Sequence, residues 1–241
     1  MSMQSSTSTD QTVRVPDAST VNTWERLWRM NGVSVVLFFV VAWLVYGSQP
    51  KLGATADELI AFYDGDRTRI VIAAVIFGLA VLNLMWFAAA IRTTLTEGGR
   101  GGWGAAATAS SAAVGGVFLL MMAIGAGLTF SISAIGGTPL AAGLNDLVWT
   151  CFVLSSFPRA MLVMSGSFGL WRGGIISNSL FAAGVVCVIL GVLGGTTWAT
   201  SGFWAPDGIY SVYIWPIVGL VWVLVVTAIL LRQRPSVREG W

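Results

Sequence analysis

The sequence contains no histidine, only two cysteines and few charges, and each shortage removes a class of function. Without histidine the chain cannot supply an imidazole to haem, to a zinc centre or to a Ser-His-Asp triad. Cys151 and Cys187 both lie in apolar runs, where free cysteines pack as small hydrophobic side chains. Charged residues form 10% of the chain and hydrophobic residues 56%, whereas soluble domains are roughly 25% charged. This composition predicts a single compact unit whose main solvent is lipid.

Recognisable catalytic, metal-binding and cofactor motifs are missing as well. One acidic cluster lacks the spacing of a calcium loop and is typical of a solvated surface; it consists of Asp57, Glu58, Asp64 and Asp66. The glycines of residues 98–104 lack the pattern of a phosphate-binding loop. The formal charge is +2, and there is no basic patch for nucleic acid. We therefore expect no enzymatic activity, no metal, no cofactor and no nucleic-acid partner.

Long apolar runs dominate the remaining sequence and predict an all-α transmembrane bundle of about six spans. The six spans are expected at residues 30–46, 70–91, 110–134, 147–171, 180–199 and 209–231. Thr55 and Glu58 fit a capping box, which predicts a short surface helix at residues 56–63 between the first two spans. The bundle then occupies residues 24–232, between a disordered Ser/Thr-rich tail at 1–23 and a short tail at 233–241.

The cationic residues divide unequally between the two sides of such a bundle. One side carries Arg14, Arg26, Arg29, Arg92, Arg100, Arg172, Arg232, Arg234 and Arg238. The opposite side carries Lys51, Arg67 and Arg69. The positive-inside rule then predicts that both termini are cytoplasmic. Ala54-Thr55-Ala56 leaves open the alternative that the first span is a cleaved signal peptide, although the segment before that span is long for a signal.

Small residues recur every four positions on two of the predicted spans. The third span has Gly125, Thr129, Ser133 and Gly137, and the fifth includes a GxxxG pair, Gly191 and Gly195. In lipid, such faces allow close helix packing. We expect them to pack within the monomer; an interface between copies in a homo-oligomer is the alternative.

Arg159 falls at the centre of the predicted fourth span, where an arginine costs on the order of 2.5 to 3.5 kcal/mol. Pro158 frees the carbonyl of Leu154, and this carbonyl and the Ser155 hydroxyl are the predicted acceptors. Ser155, Ser156 and Asn83 complete the candidate intramembrane site. No acidic residue is predicted at this depth. Three interpretations follow: self-satisfaction by carbonyls, hydroxyls and water, a pathway for an anion or a lipid headgroup, or pairing with an acidic residue of a partner subunit.

The stretch from Asp57 through Arg92 carries a family resemblance. Its short acidic-aromatic helix, Arg-x-Arg start and Ala-Ile-Arg end resemble a group of bacterial multi-pass membrane proteins known only as a domain of unknown function. The step Phe157-Pro158 and the end Leu170-Trp171-Arg172 fit the same group. The resemblance implies the six-span layout and a bacterial plasma membrane. It implies no activity and no site residues.

Two functional hypotheses follow. The first is a non-enzymatic subunit or scaffold that acts through helix contacts in the membrane, as the short loops and small-residue faces indicate. Its partner would be a membrane protein with an intramembrane acidic residue, or a second copy. The alternative is a small transporter or channel for an anion or polar solute at Arg159. Against that alternative, the sequence shows no paired broken helices, since Pro158 and Pro216 do not occupy matching positions.

Overall fold

A computed structural model describes residues 27–135 and 139–233, and these residues form helices and connecting turns without a β-strand. The expected tail at 1–23, Gly137 and residues 234–241 lie outside the described residues. The helices are α1 (Asn31–Tyr46), α2 (Ala56–Tyr63), α3 (Arg67–Glu97), α4 (Gly101–Ile135), α5 (Pro139–Leu154), α6 (Ser156–Arg172), α7 (Asn178–Gly194) and α8 (Trp215–Arg232). A single π-helical turn, Tyr210–Ile214, leads directly into α8.

Five helical stretches within the described residues are long and apolar enough to cross a membrane. They are Leu27–Tyr46, Arg67–Glu97, Gly101–Ala134, Pro139–Arg172 and Tyr210–Arg232. The fifth predicted span corresponds to α7, a shorter apolar helix whose 17 residues rise ~25 Å, at the lower limit for a crossing. The chain is therefore an integral membrane protein, and the predicted all-α bundle is confirmed.

The helices differ in extent from the predicted spans, mostly by continuing past the expected ends. α4 starts at Gly101 rather than near residue 110, because its glycines allow close contact with α3: a Cβ at Gly104 would lie 2.9 Å from Arg92 Cα. The fourth stretch starts at Pro139 rather than 147, and proline suits the first turn of a helix. α7 ends at Gly194 rather than 199. There the Thr196 hydroxyl donates to the Leu193 carbonyl and the chain turns.

α4 and α6 occupy the middle of the bundle. α3 packs against α1 and α4, α4 also contacts α5 and α6, and α6 contacts α7. α8 closes the bundle against α1 and α7. Large side chains fill the centre, among them Phe87, Phe118 and Leu170. The outward faces carry large exposed apolar residues, as expected for a surface covered by lipid.

The short helix α2 lies at Ala56–Tyr63 and begins with a complete capping box. The Glu58 carboxylate accepts hydrogen bonds from the Thr55 N–H (2.8 Å) and hydroxyl (2.9 Å). These two bonds lower the pKa of Glu58. Leu59 and Tyr63 are buried against the bundle, so α2 covers the ends of α3, α4 and α5. The bundle itself therefore covers the apolar face of this short helix.

Candidate functional site

Arg159 lies just after a break in the fourth helical stretch. α5 ends at Leu154 and α6 begins at Ser156, with Ser155 between them. Pro158 has no N–H to continue the helical ladder. Two backbone hydrogen bonds span the break: Ser155 N donates to Cys151 O (2.9 Å), and Arg159 N donates to Ser155 O (3.1 Å). The break thus presents carbonyl groups to the guanidinium that follows.

The guanidinium of Arg159 makes all its hydrogen bonds within its own helix pair. Nε donates to Ser155 O (3.2 Å), and Nη2 donates to Phe152 O (3.0 Å) and Ser156 Oγ (2.9 Å). The predicted acceptors, the Leu154 carbonyl and the Ser155 hydroxyl, are wrong. The guanidinium bonds neither of them and uses the groups just named instead. The Ser155 hydroxyl instead donates to Phe152 O (2.6 Å), so this carbonyl serves both side chains.

Nη1 of Arg159 has no hydrogen-bond partner among the described residues, and no described carboxylate pairs with this arginine. Aromatic rings surround the charge instead. The distance from Cζ to the ring centroid is 4.9 Å for Phe152, 5.7 Å for Phe118 and 5.8 Å for Trp215. Ring faces attract a cation but leave its N–H donors unused. Two N–H groups of Nη1 therefore remain available to a ligand.

Arg159 forms part of the wall of a cavity of about 80 Å³ between α1, α3, α4, α6 and α8. The other walls are apolar, for example Leu84, Phe118 and Val163. Phe39 of α1 and Pro216, Gly219 and Leu220 of α8 line the cavity and remain partly exposed. The cavity thus opens between α1 and α8. A volume of this size corresponds to roughly two or three water molecules at ~30 Å³ each.

The depth of Arg159 differs from the predicted midpoint of a 147–171 span. Helical rise places it ~20 Å from the Arg172 end of α6 and ~30 Å from Pro139. α5 therefore extends past the ~30 Å hydrocarbon layer. Arg159 remains well inside the layer, because ~20 Å exceeds the reach of its own side chain.

A second helix irregularity lies beside the first. The π-helical turn Tyr210–Ile214 ends immediately before Trp215, whose ring contacts the Arg159 charge, and Pro216 follows. The break between α5 and α6 and the π-helical start of the last span thus meet at this arginine, which the unmatched positions of Pro158 and Pro216 did not predict. Discontinuous helices and π-turns are recurrent features of binding sites in membrane proteins.

Asn83 does not join the Arg159 site. It lies near the midpoint of α3 on a partly exposed face, and its Nδ2 donates to Leu79 O (2.8 Å). The neighbouring Leu84, one position further round the helix, lines the cavity instead. Among the predicted polar residues, Ser155 and Ser156 are therefore the two that hydrogen-bond to Arg159.

The small-residue faces are occupied mainly by aromatic rings of the same chain rather than by a bare helix backbone. A Cβ at Gly191 would lie 2.6 Å from Trp215 Cη2, and one at Gly195 would lie 2.5 Å from Phe157 Cζ. On α4, the nearest group to Gly125 is the Tyr46 hydroxyl, at 3.1 Å. Thr129 is buried and donates to Ala126 O (2.7 Å). Ser133, by contrast, is exposed.

Sequence reasoning missed Trp215 at the site and Asn145 at the end of the bundle that carries α2. Asn145 is fully buried, and its Oδ1 accepts from the Tyr63 hydroxyl (2.9 Å) and from Gln49 Nε2 (3.3 Å). Its Nδ2 donates to the carbonyls of Pro50 (3.3 Å) and Lys51 (3.2 Å). The only available signal was a polar amide one turn from the start of an apolar run.

No protein-family model, no curated protein and no solved structure matches this chain.

Proposed function

We propose that this membrane protein binds a small anionic group at Arg159 and acts as a small carrier or channel for an anion. The observation that carries the proposal is an intramembrane guanidinium with an unused nitrogen, Nη1, at a cavity of about 80 Å³ and without a carboxylate partner among the described residues. An uncompensated positive charge in a low-dielectric site attracts an anion strongly. Hydrogen bonds from a guanidinium to an anion are also charge-assisted and strong, and here Nη1 is the nitrogen free to donate them.

The break at Ser155 and the π-turn that begins the last span support a binding role. A continuous helix would be the more stable way to cross the bilayer, since each break frees backbone groups that need partners. Here the break at Ser155 turns Phe152 O and Ser155 O toward Arg159, which orients the guanidinium. The π-turn before Trp215 places an aromatic ring over the same charge. Together these features fix the cation in one position before any ligand arrives.

The lateral opening between α1 and α8 bears on the source of the anion. An anion can reach Arg159 as a free ion, or as the charged head of an amphiphile whose tail stays in the lipid. The shared chemistry is a compact, singly charged group that accepts a hydrogen bond from Nη1. Acetate and decanoate separate the two sources, because they carry the same carboxylate and only decanoate partitions into the bilayer.

The subunit or scaffold hypothesis remains a prediction. Its proposed partner carries an intramembrane acidic residue that neutralises Arg159. The three hydrogen bonds of Arg159 all lie within its own chain, and its charge faces an interior cavity rather than an outer surface. A partner carboxylate would have to enter between α1 and α8. A small ligand meets no such obstacle, so the geometry favours the anion site.

The test is anion flux from liposomes containing the purified chain, with Arg159→Met and the matched control Arg67→Met. Like Arg159, Arg67 contacts an aromatic ring: its Cζ lies 4.2 Å from the ring centroid of Phe130. Arg67 differs in that it lies at the outer end of its helix, α3. We expect the wild type and Arg67→Met to conduct chloride, nitrate or acetate and Arg159→Met to lose flux at least tenfold. We also expect anions to raise the melting temperature of the wild type and of Arg67→Met, but not that of Arg159→Met.

Stability separates a binding role from a structural one. After Arg159→Met, Phe152 O still accepts from the Ser155 hydroxyl, and Ser155 O still accepts from the backbone N–H at position 159. The substitution also removes the cost of a membrane-buried charge, on the order of 2.5 to 3.5 kcal/mol. We expect the variant to melt no lower than the wild type. Absence of wild-type flux and anion stabilisation, or a large loss of stability in Arg159→Met, would contradict the proposal.

We further propose that the chain lies in a bacterial plasma membrane with both termini in the cytoplasm. The arginine distribution and the family resemblance support this orientation. Lys51 provides the test because it is the only lysine and lies in the exposed segment between α1 and α2. A lysine-specific protease added to spheroplasts should cut the chain once, after Lys51. Cleavage only after the membrane is opened would reverse the orientation.

A further inference from the structure

Asn83 is an amide near the middle of a face that is otherwise built for lipid. α3 has 31 residues, and helical rise places Asn83 more than ~20 Å from either end. The same face carries large exposed apolar residues at alternating three- and four-residue spacing: Ile72, Val75, Leu79, Leu82 and Trp86. Asn83 lies among them, four residues after Leu79 and three before Trp86.

The hydrogen bonds of Asn83 are only partly satisfied. Nδ2 uses one N–H on Leu79 O (2.8 Å), while Oδ1 accepts nothing among the described residues. In the hydrocarbon layer no water supplies the missing partner. One donor and one acceptor of the amide are thus left over on a surface that faces lipid.

From this imbalance we infer that α3 pairs with α3 of a second copy of the chain, with the two Asn83 amides bonded to each other. Two-fold symmetry brings a residue near the axis opposite itself. The spare N–H of each Asn83 then donates to the Oδ1 of the other, and both amides are satisfied at once. An unlike partner would have to present a complementary amide at the same depth, whereas a second copy presents one by symmetry.

The flanking residues fit such a pair. Leu79 and Trp86 lie about one turn before and after Asn83, Leu82 lies next to it, and the site for a Cβ at Gly78 is open. Exposed residues at three- and four-residue spacing form the seam on which left-handed helix pairs pack in membranes. The interface lies on α3 and not on the small-residue face of α7, whose Gly191 and Gly195 already contact Trp215 and Phe157.

Disulfide cross-linking tests the interface in native membranes, using a chain in which Cys151 and Cys187 are replaced by alanine. Leu82→Cys should cross-link into a dimer on mild oxidation. Ile189→Cys on α7 is the matched control, because Leu82 and Ile189 are each 54% exposed. A dimer mass for the Leu82→Cys product supports the inference. Equal cross-linking at Ile189→Cys, or a Leu82→Cys product that contains a different protein, overturns it.

Dimer dissociation in liposomes, followed by energy transfer between labelled copies, tests the role of the amide. Asn83→Leu should weaken dimerisation about 3- to 20-fold, the range for an interhelical polar contact in a bilayer. Asn83→Gln retains the amide and should weaken it less. Because Asn83 lies on the outer surface, both variants should keep the wild-type melting temperature of the monomer. Unchanged dimerisation in Asn83→Leu, or a monomeric wild type, overturns the inference.

Discussion

Replacing Gly191 by alanine is expected to destabilise the bundle by about 1 to 3 kcal/mol, the usual range for overpacking a well-packed core. The added Cβ would lie 2.6 Å from Trp215 Cη2 and 2.9 Å from Ala160 Cβ. Neither neighbour can yield easily. The Trp215 side chain is 1% exposed and packs beside Arg159. Ala160 Cβ can move only together with the backbone of α6. Accommodation therefore requires α7 to move away from α6.

Thermal or denaturant unfolding in detergent measures the effect, and Gly127→Ala is the control. Gly127 also lies inside a long helix, but a Cβ there meets no atom within 4 Å. Because alanine is the better helix former, this control should be neutral or stabilising by up to about 1 kcal/mol. Equal effects of the two substitutions would mean that α7 does not approach Trp215 as described.

A double mutant identifies the source of the Gly191 effect. Trp215→Phe removes the part of the indole that carries Cη2 and should recover part of the stability lost in Gly191→Ala. The contact with Ala160 remains, so recovery should be incomplete. Coupling between the two substitutions of at least about 0.5 kcal/mol is expected for residues in direct contact.

Gly191 illustrates what the sequence could and could not predict. The repeat of small residues on α7 predicted a helix face for close packing. The occupants of that face come from α6 and α8, however, and are Trp215 and Phe157 rather than a bare backbone. Periodicity within one helix reports which side is buried; it carries no information on which side chain of another helix fills the space.

The Arg159 site was likewise predictable from the sequence only in part. Composition and span prediction identified a costly arginine beside Pro158 and two serines, because these features lie within a few residues of one another. The aromatic wall is assembled from Phe118 of α4 and Trp215 of α8, which are far apart in sequence. Asn83 shared a similar predicted depth with Arg159 yet lies on a different, partly exposed face of α3. Depth can be read from sequence, whereas rotation about a helix axis that is apolar all round cannot.

Replacing Asn145 by leucine is expected to cost about 2 to 4 kcal/mol and to release the segment between α1 and α2. The amide joins α5 to this segment and to α2 through four hydrogen bonds, to Tyr63, Gln49, Pro50 and Lys51. Leucine has a similar volume but offers no donor or acceptor. The Tyr63 hydroxyl, which is fully buried, then loses its partner, and an orphaned buried group costs about 1 to 3 kcal/mol by itself.

Lys51 makes the release directly measurable, because a lysine-specific protease can cut the chain at this residue alone. We expect Asn145→Leu to be cut faster than the wild type, while Asn178→Leu stays near the wild-type rate. Asn178 is a suitable control because its Oδ1 accepts one bond, from Trp171 Nε1 (2.8 Å), at an exposed position. Adding Tyr63→Phe to Asn145→Leu removes the orphaned hydroxyl and should restore part of the stability but not slow the cleavage, since the Lys51 carbonyl stays unbound and the Pro50 carbonyl keeps only its bond from Trp149 Nε1 (2.8 Å). A parallel recovery of both would show that Tyr63, and not the two carbonyl bonds, holds this segment on the bundle.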